Sequence, residues 1–370
     1  MKNYFLLFLL VSIIIYPQKK NKKSTVILPN LSCEIISKIE IHSEINAPLI
    51  FENNIFVPSK TGLISCYGIS GDLRWKHQLQ SSVSSKPIAD RNILLVAANN
   101  QELTSLNIND GNQIQSIGIS DSITADLGVF EYTGDKELMI PKTGNSKAAV
   151  ILGFNSGEIV CYDLETLQEY WRNRNAKGSI KMQAVAGNKI LFTSTDGYLY
   201  CIDSRNGLLI WRWKEKADSD LSNSKITIEG KSVYMVDEEN YIICIDILIG
   251  YMKWKSNFKA FSPIGISTDK KKLFTKGMDK KFYILASTSG KVLKEVKRSN
   301  KFSDGSTSTF EFKKNIIFSE QSSLFSLNTK SVETKIASFE NFTIMNINKL
   351  GTNKFLLTDL RGSLLLVSLN

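Results

Sequence analysis

Histidine is scarce in this chain of 370 residues, which contains only His42 and His77. The five cysteines include no adjacent pair and no C-x-x-C spacing, and no D-x-D-x-D-G loop is present. A zinc site and a triad of nucleophile, histidine and carboxylate therefore have few residues to draw on. A calcium loop lacks its pattern as well. The sequence predicts a non-catalytic protein with no catalytic, cofactor-binding or metal-binding residue.

Apolar runs long enough to cross a membrane are also missing. The run YFLLFLLVSIIIY covers residues 4–16, whereas a helix needs about 20 residues to span a bilayer. Because the run follows Lys2 and lies at the N-terminus, residues 1–18 are predicted to be an export signal or an uncleaved anchor. Residues 19–32, with four lysines, are predicted to be a basic linker. The protein is expected in the periplasm or cell envelope, where the N-terminus would allow membrane association.

Charge of one sign is in excess, with a formal net charge of +10 and a pI near 9.1. Such a balance favours anionic partners such as a lipid surface. The alternative is a background composition rich in lysine, isoleucine and asparagine. Nucleic acid is not an expected partner, because no aromatic-plus-basic RNA motif accompanies the charge.

A phrase of about sixteen residues recurs along the chain. It is clearest at residues 196–211, which are DGYLYCIDSRNGLLIW, and further copies cover 61–75, 100–111, 156–171, 239–254, 279–290, 321–332 and 361–368. The position equivalent to Gly197 recurs at intervals near forty residues, with one interval of 56. Eight copies at this period predict an all-β, eight-bladed β-propeller of four-stranded antiparallel blades over residues 33–370. A monomeric ring is expected.

Each recurring feature of the phrase has a structural interpretation. Apolar residues on both alternating sets of 198–203 predict a strand buried on both faces. Asp203 can cap the following turn, and Gly207 supplies the positive φ that such a turn needs. Asp163 and Asp246 share the position of Asp203, so turn capping is expected for all three. Core packing between blades is predicted for the tryptophans, which are Trp75, Trp171, Trp211 and Trp254.

The last copy of the phrase lacks an outer strand. It reaches residue 370 inside its third strand, whereas residues 33–45, CEIISKIEIHSEI, precede the first complete blade and alternate like a strand. We predict that this N-terminal segment fills the vacant place and closes the ring. Closure would remove an exposed sheet edge, which otherwise favours aggregation.

The pattern G-x-L-x-C-x-D-x-x-x-G-x-x-x-W at Gly197, Leu199, Cys201, Asp203, Gly207 and Trp211 resembles the pyrroloquinoline-quinone-like propeller repeat. In size and architecture the chain is most similar to outer-membrane assembly factors of the BamB type, which use no cofactor. The resemblance implies an exported scaffold with protein partners in the outer-membrane assembly machinery. It departs from those lipoproteins in having no cysteine directly after the apolar segment. The alternatives are a quinone-dependent oxidoreductase and a ligand-binding surface or sensor propeller.

Two segments are candidates for partner binding. Residues 269–301 carry eleven lysines and arginines against three carboxylates. We predict that they meet an anionic membrane surface or an acidic protein. The alternative is a solvated edge whose lysines prevent strand pairing. The second candidate is an insertion near residues 131–147, in the one long interval between repeats. The basic patch is predicted to comprise Lys270, Lys271, Lys272, Lys276, Lys280, Lys281 and Arg298.

Overall fold

The computed structural model describes residues 31–132, 147–216, 218–221, 224–298, 309–359 and 361–370. These residues form strands, turns and connections, without an α-helix. No helix in this part of the chain has the length and hydropathy to cross a membrane. The predicted export signal and most of the predicted basic linker lie outside the described residues, as do residues 133–146 of the insertion.

The first four blades each contain four antiparallel strands joined in sequence order. Blade 1 consists of β2 (Leu49–Phe51), β3 (Asn54–Pro58), β4 (Leu63–Gly68) and β5 (Leu73–Gln78). Blade 2 consists of β6 (Ile88–Asp90), β7 (Ile93–Ala98), β8 (Glu102–Asn107) and β9 (Gln113–Gly118). Blade 3 consists of β10 (Gly128–Tyr132), β11 (Lys147–Gly153), β12 (Ile159–Asp163) and β13 (Glu169–Asn173). Blade 4 consists of β14 (Ile180–Ala186), β15 (Lys189–Ser194), β16 (Leu199–Asp203) and β17 (Leu209–Trp213).

The other four blades repeat this order, except that the last takes its fourth strand from the N-terminal side of the chain. Blade 5 consists of β18 (Thr227–Glu229), β19 (Ser232–Val236), β20 (Tyr241–Asp246) and β21 (Met252–Lys259). Blade 6 consists of β22 (Gly265–Ile266), β23 (Lys272–Lys276), β24 (Lys281–Ala286) and β25 (Val292–Lys297). Blade 7 consists of β26 (Phe310–Phe312), β27 (Asn315–Glu320), β28 (Ser323–Leu327) and β29 (Glu333–Ser338). Blade 8 consists of β30 (Asn346–Lys349), β31 (Lys354–Thr358), β32 (Ser363–Leu369) and β1 (Cys33–Glu40).

The blades form a closed ring, which confirms the predicted eight-bladed propeller. First strands of consecutive blades contact each other, as β2 does with β6 and β10 with β14, so the first strands surround the ring axis. Eight apolar cores lie between the blades, one in each of the eight seams. The second and third strands are buried on both faces because every blade is covered by two neighbours.

Strand β1 closes the ring as predicted. It pairs antiparallel with β32 from Cys33↔Leu369 to Glu40↔Ser363, with one register shift between Ile35 and Ser37. Its Ile39 is buried with residues of blades 1 and 8 in the core of that seam. Outside the strand, the backbone N–H of Ser32 donates to the carbonyl of Asn370, and the N–H of Asn370 donates back to Ser32.

The antiparallel order of each blade sends its turns to opposite ends of the ring. The end that we call face 1 carries the turns from first to second strand and from third to fourth strand. Face 2 carries the turns from second to third strand and the connections between blades. Turns that are consecutive in sequence therefore lie on different faces, which decides where the candidate residues meet.

Candidate functional site

The aspartates of the repeat hold the turns that follow the third strands. The Oδ1 atom of Asp203 accepts the backbone N–H of Arg205 at 2.9 Å, and Oδ1 of Asp246 accepts that of Leu248 at 2.8 Å. Asp163 accepts two such N–H groups, at 2.9 and 2.7 Å. Hydrogen bonding from Arg205 lowers the pKa of Asp203, and Lys253 does the same for Asp246. These carboxylates are ionised turn caps and poorly suited to donate protons.

The tryptophans of the repeat dock on the glycine of the next blade. A Cβ added to that glycine would lie 2.4–2.6 Å from the indole ring. Three of the indole N–H groups also donate to a backbone carbonyl of the next blade at 2.9–3.0 Å. In the seam between blades 5 and 6, the hydroxyl of Tyr234 donates to the equivalent carbonyl instead. The tryptophan–glycine pairs are Trp75–Gly111, Trp171–Gly207, Trp211–Gly250 and Trp254–Gly290.

The turn from second to third strand has a residue with positive φ in every blade. Gly197 has a φ of 84°, and a Cβ on it would lie 2.0 Å from the Ser219 carbonyl oxygen. Four other blades place a residue other than glycine there, among them Asn240 and Lys280. In the seventh repeat the positive φ falls on Gln321, one residue before the position that the sequence spacing gave.

The cysteines are free thiols. Those of the repeat, Cys66, Cys161, Cys201 and Cys244, are fully buried in the seams, and Cys33 in β1 is half-buried. Burial raises the pKa of each thiol, to about 11 for Cys66 and to about 12 for Cys201. A thiol held protonated in this way is a weak nucleophile.

The predicted basic patch is divided between the two faces. Lys270, Lys271 and Lys272 lie at the turn from β22 to β23, on face 1, where Lys270 Nζ pairs with Glu229 Oε1 at 2.9 Å. Lys280 and Lys281 lie at the turn from β23 to β24, on face 2, and Lys281 Nζ pairs with Glu295 Oε2 at 2.8 Å. These five residues are therefore divided between opposite faces of the ring.

The other two members of the patch are buried between blades 6 and 7. Lys276 donates from Nζ to the carbonyl of Ser319 at 3.1 Å. Arg298 donates to both carboxylate oxygens of Glu333, at 2.7 and 2.8 Å, and lies over the rings of Phe318 and Phe325. The structure does not bring the seven residues together on one surface, and their role in partner binding stays a prediction.

Lys276 should make the stability of the protein depend on pH. Burial lowers its pKa to about 8 from the usual 10.5, while Glu320 partly opposes the shift. Between these values the folded protein has lost a proton that the unfolded chain still holds, so stability rises with pH in this window. The full rise attributable to Lys276 is about 3 kcal/mol. Urea unfolding of the wild type and of K276M at pH 7.5 and 9.5 measures it.

The K276M variant should gain less stability than the wild type between these two pH values. The cysteine thiols contribute a fall in stability above pH 9, because burial raises their pKa. That contribution is common to both proteins and cancels in the comparison. Equal pH dependence of the two proteins would show that Lys276 keeps an ordinary pKa.

Exposed apolar residues lie on face 1 at the turns after the third strands of blades 4 and 5 and at the start of β17. Trp211 joins the two turns, because its indole contacts Gly250 and donates to the Ile247 carbonyl. Leu208, Ile249 and Tyr251 are 65–70% exposed. We call this cluster the apolar turn patch, and it consists of Leu208, Leu209, Ile210, Leu248, Ile249 and Tyr251.

The sequence reasoning missed this patch, although a signal was present. The repeat copies in question contain GLLIW and ILIGY, with apolar residues where a tight turn ordinarily carries polar ones. Single exposed apolar residues are common on protein surfaces, but six within two consecutive copies of the repeat are typical of an interaction site.

Other features of interest also lie on face 1. The insertion connects β10 to β11 and therefore leaves blade 3 there, although residues 133–146 lie outside the described part. A cavity of about 380 Å³ opens on the same face between blades 6 and 7.

Face 2 carries a cavity of about 630 Å³ between blades 7 and 8, with a largely polar lining that includes Glu340, Asp359 and Arg361.

Comparison with known proteins agrees with this geometry. The sequence model of the family described as outer membrane protein assembly factor BamB matches residues 30–119 and 155–301. The chain belongs to this family. The match omits residues 120–154, which contain the insertion, and residues 302–370, which contain blade 7 and three strands of blade 8. No curated protein sequence matches the chain. Family and fold together support a protein-binding scaffold as the general class.

Solved structures similar to the BamB-family chain share its ring. The crystal structure of BamB from Moraxella catarrhalis has a TM-score of 0.70 at 15% identity, covering 91% of this chain and 97% of that one. The computationally designed Ika8 protein has the same TM-score and identity, covering 90% and 99%. Sqt1 of Saccharomyces cerevisiae has a TM-score of 0.70 at 9% identity, covering 91% and 99%. At these identities the similarity concerns the fold alone.

Proposed function

We propose that this chain is a non-catalytic, exported scaffold that binds protein partners during outer-membrane protein assembly. The observation that carries the proposal is the family match over two stretches that together include most of blades 1, 2, 4, 5 and 6. A rigid ring held by eight apolar seams suits this role, because it presents turns at fixed positions without needing to change shape.

Face 1 is the side on which we expect the partner to bind. The apolar turn patch supplies large side chains that a partner can remove from water at about 25 cal/mol per Å². Lys270, Lys271 and Lys272 follow blade 5 on the same face and carry positive charge. Charge of this kind steers an acidic partner towards the ring and raises the association rate more than the affinity.

The proposal is tested by crosslinking in the cell followed by affinity purification of the tagged chain and mass spectrometry. The wild type is expected to recover proteins of outer-membrane assembly. The L208S/I249S/Y251S variant is expected to recover them at least fivefold less, because the patch loses its apolar area.

A matched control separates the patch from a general loss of surface hydrophobicity. Ile35, Leu73 and Ile114 are 51–52% exposed on the outer strands of blades 8, 1 and 2, so I35S/L73S/I114S makes the same chemical change elsewhere. This control should recover partners like the wild type. Recovery of no envelope protein by a well-expressed wild type would overturn the scaffold proposal. Equal recovery by both variants would show that the apolar turn patch does not contribute to partner binding.

A further inference from the structure

The seam between blades 6 and 7 departs from the tryptophan–glycine contact of other seams. The tryptophan position is Lys294, whose Nζ donates to the carbonyl of Thr329 at 3.2 Å. The glycine position is Ser331, with a φ of 66°. Among the described residues, the buried apolar cluster of this seam is also the smallest of the eight, with six members. The place of an indole and its partner is thus taken by two polar side chains.

A cavity lies beside these two positions. It has a volume of about 380 Å³, and Lys294, Asn328, Thr329 and Ser331 are among the residues that line it. Asn328 caps its turn as Asp246 does, so Thr329 is equivalent to Ile247, whose carbonyl accepts the indole N–H of Trp211 in the seam between blades 4 and 5. The cavity therefore lies beside the position where other seams hold an aromatic ring, and Lys294 replaces that ring here.

The seam between blades 2 and 3 also lacks the tryptophan, but a larger residue stands at its glycine position. In the seam between blades 2 and 3 the same two positions are Gln115 and Leu167. Gln115 donates to the carbonyl of Glu165 at 2.6 Å, and Leu167 is 4% exposed and packs into the apolar core there. Leucine fills the space that glycine would leave to an indole. Ser331 is too small to fill it in the other seam.

The lining has the character of a ligand site. Phe274, Ile316 and Leu327 are buried and contribute apolar walls. Lys272, Lys294 and Lys314 contribute positive charge, against a single carboxylate, Glu311, which accepts the backbone N–H of Thr268 at 2.8 Å. Small-molecule and side-chain pockets commonly combine apolar walls with a few convergent polar groups in roughly 300–1,000 Å³.

We propose that this seam cavity binds an aromatic side chain of a protein partner, presented between acidic residues. The ring would lie in the cavity beside Lys294 and Ser331, which stand at the tryptophan and glycine positions. The flanking carboxylates would meet Lys272 and Lys314, both exposed on face 1. The inference rests on the proposed function for its choice of a protein as the occupant.

The probe is a fluorescein-labelled, end-capped peptide, Gly-Glu-Glu-Trp-Glu-Glu-Gly, titrated against the full chain by fluorescence anisotropy. Saturable binding at micromolar protein is expected. A peptide with alanine in place of tryptophan should bind at least tenfold more weakly, and so should one with glutamine in place of every glutamate. Equal binding of all three peptides, or no saturable binding, would overturn the proposal.

The matched variant fills the cavity from within. K294W/S331G rebuilds the tryptophan–glycine pair that four other seams contain and should keep or raise the melting temperature. It should bind the peptide at least tenfold more weakly. Unchanged affinity in this folded variant would contradict the assignment of the site. K272Q/K314Q leaves the cavity open, so binding should weaken at least threefold and lose most of its salt dependence.

The outcome is separable from that of the proposed function. If K294W/S331G recovers the same envelope proteins as the wild type and binds the peptide equally well, the seam cavity is excluded and the scaffold stands. If the wild type recovers no envelope protein, the scaffold proposal fails, while the peptide titration still decides what the cavity binds.

Discussion

Deletion of residues 33–40 should abolish the cooperative unfolding transition of the whole protein. The deletion removes β1, which pairs with β32 over most of its length and buries Ile39 in the seam between blades 8 and 1. About one net kcal/mol for each lost backbone hydrogen bond gives a cost of about 5 kcal/mol or more, comparable to the whole stability of many domains. The exposed edge of β32 would also favour aggregation. Thermal melting followed by circular dichroism measures the effect.

Point variants and a peptide give the controls for this deletion. I39A, at a buried position, should cost about 2–4 kcal/mol, whereas I36A, at a position that is 43% exposed, should stay within about 0.5 kcal/mol. A synthetic peptide of residues 31–43 added to the deletion variant should restore the transition, because it supplies the missing strand. A sharp transition at the wild-type temperature without the peptide would refute the role of β1.

The G207A variant should lose about 2–4 kcal/mol of stability. Its new Cβ would lie 2.4 Å from Cε3 of Trp171, and the backbone φ of 72° is unfavourable for alanine. The indole cannot retreat easily, because its N–H donates to the Ser204 carbonyl at 3.0 Å. Urea unfolding gives the change in free energy, with an unchanged m-value as the sign that the same transition is measured.

Gly230 offers the matched control. It has a φ of 55°, but nothing lies within 4 Å of an added Cβ. G230A should therefore cost only the backbone strain, about 1–2 kcal/mol. The difference between the two variants isolates the contact between Trp171 and the next blade. Equal losses in both variants would mean that the tryptophan–glycine contact contributes nothing beyond backbone strain.

The fold was predictable because one physical problem is solved eight times. Every blade needs two strands buried on both faces and a turn with positive φ after the second strand, so the residues that meet these needs recur at a fixed interval. The vacant outer strand of blade 8 was predictable for the same reason, since seven complete copies show what the eighth lacks.

The surfaces were harder to predict, because they depend on which face each turn reaches. The lysines of blade 6 are neighbours in sequence, but Lys272 begins a strand on face 1 and Lys276 ends it towards face 2. Alternation along β23 does not distinguish inside from outside either, because both sides of the strand are covered by neighbouring blades and four of its five residues are buried. The lysines that lie close together in the sequence therefore do not form one charged surface in the structure.

The seam cavity was not predicted, because its residues have no distinctive pattern in the sequence. Lys294 and Ser331 look like ordinary departures from a degenerate repeat, and each is compatible with a solvated turn. Only the comparison of seams shows that both sides of one contact changed together, whereas Leu167 fills the equivalent space elsewhere. The missing tryptophan is recognised as a pair of coupled changes only when the seams are compared in three dimensions.

Ring closure also determines how late in synthesis the fold can be completed. The hydroxyl of Ser363 donates to a carboxylate oxygen of Glu40 at 2.6 Å, across 323 positions of the chain. At about 5–20 residues per second, a ribosome needs roughly 16–65 s to make the residues between the two. The first strand must stay unpaired throughout that interval, much longer than a hairpin needs to form. Whatever holds the growing chain soluble must therefore protect its earliest strand until almost the last residue has been added.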